Sequence, residues 1–135
     1  FVFFLMAIYG KAYLEFINYI EHYGIVRVPD SKIELRHSWN SNHVPSSYLL
    51  YNLPRHAYHH INSAAPYWKI KPCQEAPSLP FGYLYMIFFS MFPFIYDRIM
   101  IPRIKHWDLN FANEQEKKLA QNANKVAGWS SQYLS

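Results

Sequence analysis

The run Arg55-His56-Ala57-Tyr58-His59-His60 constrains this chain more than any other feature, because it sets three imidazoles within five residues. On a helix, His56, His59 and His60 fall at i, i+3 and i+4 and share one face. Neutral imidazole nitrogens converging from one face suit iron, zinc or copper. Core packing gives no reason for that spacing, and solvated surface histidines rarely need it. The bland alternative is a polar loop with chance histidines.

Hydrophobic residues make up 51% of the chain and aromatics 19%, with twelve Tyr and ten Phe, while charged residues are only 16%. Mean hydropathy is nevertheless slightly negative. A membrane-associated chain with wet loops and a polar tail reconciles the two. The net charge is +4. Arg27, Lys32, Arg36 and Arg55 lie in the middle section, and Arg98, Arg103 and Lys105 border the last apolar run. Basic residues beside apolar segments fit a cytoplasmic membrane face. No clustered basic stripe is present, which speaks against a nucleic-acid partner. Cys73 stands alone, so there is no disulfide framework and no paired-cysteine metal site. The chain opens at Phe1 with nine residues that are nearly all apolar, like the middle of a hydrophobic helix. The expectation is a fragment of a longer protein.

The pattern predicts an all-α chain. Residues 1–26 read as one helix, which would have to continue upstream to span a bilayer or else line a protein interior. Glu15, Asn18 and His22 share a face of it, and polar groups in such a helix usually face a bundle or cavity. Residues 27–45 read as a loop, opened by the turn chemistry of Pro29-Asp30-Ser31. A second helix starts near Ser46 or Ser47, with Pro54 kinking it, or at an Asn52 cap with Pro54 in the first turn. Residues 61–80 are a loop broken by Pro66, Pro72, Pro77 and Pro80. Phe81 to Ile101 is the most hydrophobic stretch, divided by Pro93, and reads as a kinked span or a re-entrant or interfacial helix. In the tail, Asn113 and Glu116 form a capping-box pair, and Gly128 can close a short helix.

His22 ends the first helix just before Gly24 and can face the His56/His59/His60 cluster. Taken alone it is equally a histidine favoured by a helix C-terminus. A ligating His gives its second N–H to a carboxylate or carbonyl. Glu15 is a candidate for that role, or else a partner of Lys11 one turn away. His37 and His43 read as loop or substrate-entry residues, and His106 as surface. Zinc is open on spacing alone, while apolar, aromatic surroundings favour iron.

Asn18-Tyr19-Ile20-Glu21-His22-Tyr23-Gly24 resembles the NYxEHYG motif of the membrane-bound alkane 1-monooxygenases, in the fatty acid desaturase-like superfamily. His37-Ser38-Trp39-Asn40-Ser41-Asn42-His43 is similar to the HSWNSNH segment that follows it there. Leu53-Pro54-Arg55-His56-Ala57-Tyr58-His59-His60 resembles the last histidine box, LQRHSxHH. Leu79-Pro80-Phe81-Gly82-Tyr83 and Ile101-Pro102-Arg103 echo the LPxGY and DPR elements. The motifs keep family order from about residue 14 to 104.

The resemblance implies a multi-pass helical enzyme of the cell inner membrane, with a non-haem di-iron centre toward the cytoplasmic side. Such enzymes hydroxylate the terminal C–H of alkanes with O₂, using electrons from rubredoxin and its reductase. Carried over by position, the iron ligands are His22, His56, His59 and His60. Glu15, Asn18, His37, Trp39, Asn40 and His43 are candidates to orient the iron ligands or to line the substrate pocket. Residues 1–104 would be the C-terminal part of the di-iron domain and 105–135 a polar tail. The family's earlier boxes, of HExxH and EHxxGHH type, have no counterpart here, so the fragment alone would be inactive. Pro54, Ala57 and Ile101 depart from the usual Gln, Ser and Asp. None removes an imidazole. Rival readings are a related hydroxylase or desaturase acting on aryl methyl groups or fatty acyl chains, a non-catalytic metal-binding membrane protein, and a soluble all-α binding domain.

Overall fold

A computed structural model describes residues 1–128. Among them there are six α-helices, α1 (Val2–His22), α2 (Val44–Leu49), α3 (His56–Ile61), α4 (Tyr83–Ser90), α5 (Pro93–Asn110) and α6 (Glu114–Val126). Two short 3-10 turns, Leu35–His37 and Tyr67–Lys69, interrupt the loops. No strand occurs among the described residues, and one isolated parallel bridge joins Asn40 to Ser78. The all-α expectation holds. No described helix is long and apolar enough to cross a membrane.

Helix α1 stops at His22, short of the boundary expected at residue 26. Tyr23 leaves helical geometry and Gly24 takes a φ of +72°. That conformation is costly for a residue with a Cβ. The space a Gly24 Cβ would need is already filled by the Ile104 side chain of α5. The reversal therefore comes from packing as well as from glycine.

The single second helix expected after Ser46 is two helices. α2 starts at Val44, with Pro45 in its first turn, and ends at Leu49. Tyr51 and Asn52 then adopt left-handed φ values of 50° and 62°, and the chain turns before α3. Asn52 caps nothing; its side-chain amide donates to the Tyr67 carbonyl at 2.9 Å. The stretch Phe81 to Ile101 is likewise not one kinked element. α4 ends at Ser90, and Pro93 opens α5, where its missing N–H costs nothing.

The core lies where α1, α4 and α5 meet. Ile17, Ile20, Trp39, Leu79, Tyr83, Met86, Tyr96, Met100, Ile104 and Trp107 are buried together. α5 runs unbroken through position 104. α6 packs on α5, and both halves of the expected capping box form. Gly128 follows the helix with φ +74°. Residues 129–135, the end of the 105–135 segment, lie outside the described residues.

The segment Trp39–Ser41 ties the elements together. Trp39 N–H donates to the Glu21 carbonyl, Asn40 N–H to Pro77, Ser41 N–H to Pro54, and the Asn40 carbonyl accepts from Leu79. The end of α1, the approach to α3 and the approach to α4 are thereby held in one register.

Candidate metal centre

The end of α1 and the start of α3 bring three imidazoles together. Ring nitrogens of His22, His56 and His60 all lie within 4.8 Å of one another. Ring centroids are 4.3 Å apart for His56 and His60, and 5.2 Å for His22 with either. His56 is buried, while His22 and His60 are partly exposed.

The nitrogens of this trio are short of partners. Neither ring nitrogen of His56 makes a hydrogen bond, and Nε2 of His60, also buried, makes none. Buried polar atoms without partners are costly, and a metal ion would satisfy them. His22 differs in one respect. Its Nδ1 donates to the His37 carbonyl at 3.3 Å, which leaves Nε2 free as a ligand atom.

Burial keeps the three rings neutral, the state that binds metal. His56 is pushed down to about 3 by burial first, then by the neighbouring His60, His22 and His59. His60 is lowered to about 4 by burial first, then by His22, His59, His37 and Arg27. His22 is lowered by burial, its bond to the His37 carbonyl working the other way.

Glu21 completes the inner group. It is 1% exposed, and its Oε1 lies 3.3 Å from His56 Nδ1. Tyr83, fully buried at the start of α4, donates its hydroxyl to the same oxygen at 2.8 Å. Burial raises Glu21 to about 8, with the Tyr83 hydrogen bond opposing the shift. Glu21, and not Glu15, is the carboxylate that lies beside an imidazole of the trio. Glu15 instead sits on the exposed face of α1, 3.4 Å from Lys11. The signal for Glu21 was its place beside His22 in the motif; helical spacing alone pointed two turns back.

The other expected residues divide by position. His59 lies on the exposed side of α3, its ring 5.9 Å from His56 and 6.4 Å from His60, outside the trio. Asn18 is exposed on α1. The His37 ring is turned away, with Nδ1 accepting from the Glu34 N–H and Nε2 2.8 Å from Glu116. Trp39 is buried and donates to the Tyr23 carbonyl at 2.8 Å. Asn40 is buried and donates to Asn42 and to the Cys73 carbonyl. His43 precedes α2 and lines an apolar cavity of about 790 Å³ with Phe81, Leu84, Tyr85, Phe88 and Phe89.

The LPxGY-like stretch acquires a physical role. Leu79 is buried and bonded to Asn40, and Tyr83 reaches Glu21. A Cβ on Gly82 would stand 2.6 Å from the Ser46 hydroxyl, the same hydroxyl that accepts the Tyr83 N–H. Glycine lets α4 start close enough to α2 for Tyr83 to enter.

Comparison with known proteins shows the family. The family model described as fatty acid desaturase matches residues 1–90. The hydroxylase component of xylene/toluene monooxygenase from Pseudomonas putida is 34% identical over 122 residues, 90% of this chain and 33% of that protein. Alkane 1-monooxygenase from Acinetobacter baylyi is 38% identical over 123 residues, 85% of this chain and 30% of that protein. Alkane 1-monooxygenase 1 from Alcanivorax borkumensis is 38% identical over 104 residues, 73% of this chain and 26% of that protein. The chain thus spans about a third or less of the length of these relatives.

Proposed function

The chain belongs to the fatty acid desaturase family, and on that premise we propose that it forms part of a membrane-bound non-haem di-iron hydroxylase acting on terminal C–H bonds. The observation that carries the reading is the His22/His56/His60 trio, in which Nε2 of His56 and Nε2 of His60 are buried without a hydrogen-bond partner. His22, His56 and His60 would hold one iron. His59, exposed beside them, would serve a second iron whose other ligands lie elsewhere in the intact protein. Iron would supply the activation of O₂ and of the C–H bond.

This chain's own residues do the positioning. The His37 carbonyl keeps the proton of His22 on Nδ1. Tyr83 orients Glu21 beside His56. Trp39, Tyr83 and Ile20 are buried in the core, where Trp39 is bonded to the Glu21 and Tyr23 carbonyls at the end of α1. The first turns of α1 are apolar and exposed and would meet lipid, with the last turn, which carries Glu21 and His22, beyond them. We place the site on the cytoplasmic side of the inner membrane, where rubredoxin and its reductase can deliver electrons.

Alkanes are the first substrate class, on the likeness to the alkane monooxygenases. Aryl methyl groups are the second, because a xylene/toluene monooxygenase component is similar over 90% of the chain. The test is the intact protein loaded with iron, supplied with O₂, rubredoxin and reductase, and offered octane or toluene. Terminal alcohol from octane supports the first class and benzyl alcohol the second. Loaded iron with neither alcohol, and no O₂ consumption, sinks the reading.

A further inference from the structure

α6 is a mostly polar helix, yet Glu116 in its first turn is 1% exposed. As a capping-box residue it needs no burial, because its exchange with Asn113 is local: Asn113 N–H donates to Glu116 Oε2 and Glu116 N–H to Asn113 Oδ1, each at 2.9 Å. The burial serves a second contact. Glu116 Oε1 lies 2.8 Å from His37 Nε2, and Oε2 lies 3.3 Å from Arg36 Nε. His37 Nδ1 accepts the Glu34 N–H at 3.0 Å, which favours the tautomer whose Nε2 proton faces Glu116; Arg36 Nε lies 3.3 Å from the same nitrogen. The carbonyl of the same His37 accepts from His22 Nδ1. Trp107 of α5 donates to the Arg36 carbonyl at 2.6 Å, so the turn is gripped on both sides. A three-residue 3-10 turn has little stiffness of its own. Its carbonyl can orient an imidazole only if something outside the turn holds it.

We propose that Glu116 is a positioning residue for His22, acting through His37, and that α6 is a working part of the metal centre. The proposal rests on the metal-centre reading above. It concerns a helix beyond residues 1–90, the stretch that the family model matches. A carboxylate at this position supplies a charge-assisted acceptor to the His37 ring. The ring fixes the turn, the turn aims its carbonyl, and the carbonyl fixes which nitrogen of His22 faces the metal.

The test titrates Co²⁺ into the intact, metal-free protein and follows the visible bands of the bound ion. Glu116→Ala is expected to weaken binding about tenfold, the low end for residues that orient ligands, and to shift the bands. His37→Phe keeps the carbonyl but loses both ring bonds, and is expected to do the same; it carries the comparison if Glu116→Ala fails to fold. The double variant should lose no more than either single one. Asn113→Ala frays the start of α6 without removing the acceptor, and should leave the bands as in the unsubstituted protein. Unsubstituted bands and affinity in His37→Phe or Glu116→Ala overturn the proposal, as does an Asn113→Ala variant that matches their loss. Failure of the unsubstituted protein to take up cobalt overturns the metal centre itself, and the proposal with it.

Discussion

Tyr83 and Glu21 are 62 residues apart in sequence and 2.8 Å apart in the fold. Their contact places a buried carboxyl beside His56, the most buried ligand candidate. A carboxyl inside a protein costs free energy unless donors surround it. Tyr83 is the donor seen at Glu21 Oε1, and His56 Nδ1 is the next polar atom, at 3.3 Å. Tyr83→Phe removes one oxygen atom and little volume. It should cost about 1–2 kcal/mol of stability, the usual cost of stranding a buried polar group. Metal affinity should fall by up to about tenfold, since Glu21 loses the bond that aims it at His56. Urea denaturation of the metal-free protein and metal titration of the folded one measure the two separately. Equal stability and equal affinity would mean that the hydroxyl is a bystander.

Helix ends carry much of the positioning, and two of them make sharp expectations. Gly24 combines φ +72° with an Ile104 Cγ1 atom 2.7 Å from where a Cβ would sit. Gly24→Ala must strain the backbone and displace Ile104, and should cost about 2–3 kcal/mol. Adding Ile104→Val should recover part of that loss, which a thermal melt of the double variant reads directly. At the α5–α6 contact, Asp108 is partly buried with Oδ1 unpartnered. Burial raises its carboxyl to about 6, a hydrogen bond from Asn124 working the other way. A carboxyl that holds its proton more tightly when folded loses stabilising power as pH climbs from its ordinary value near 3.8 through 6. Asp108→Asn should therefore stabilise at pH 7.5 by on the order of 1 kcal/mol, allowing for solvent screening. The gain should shrink toward zero as pH approaches 4. A gain that does not vary with pH would assign the effect to packing. What the sequence shows at such ends depends on range. The Asn113/Glu116 box spans three residues and is readable by eye. The Glu116–His37 contact spans 79, and no periodicity reports it. Pro93 is ambiguous because a proline both kinks a helix and starts one. Only the packing of α4 on α5 decides.

The molecule as a whole is polarised. The His trio sits at the C-terminal end of α1, and the other end of that helix exposes Phe1, Phe3, Phe4, Met6 and Ile8, each at least 64% accessible. A 21-residue helix is about 30 Å long. The greasy end and the histidine end are therefore held well apart, with Lys11 and Glu15 exposed between them. α6 lies near the metal end, because Glu116 reaches the His37 turn. The histidine motifs pointed to a cluster of imidazoles that could hold a metal. They could not show which rings meet, since His59 and His60 are adjacent in sequence yet only His60 joins the trio. Exposed apolar surface of this extent on a water-facing protein would drive association. Facing lipid, it is simply solvated. The distinction is measurable with nitroxide labels on the intact protein in liposomes, in a Cys73→Ser background. A label at Phe4→Cys should relax faster with dissolved oxygen than with a nickel chelate, because oxygen concentrates in hydrocarbon and the chelate stays in water. A label at Lys125→Cys, on α6, should show the reverse order. Chelate-dominated relaxation at position 4 would place the start of α1 in water and remove the membrane reading. Oxygen-dominated relaxation at position 125 would put α6, and the metal end with it, in the bilayer.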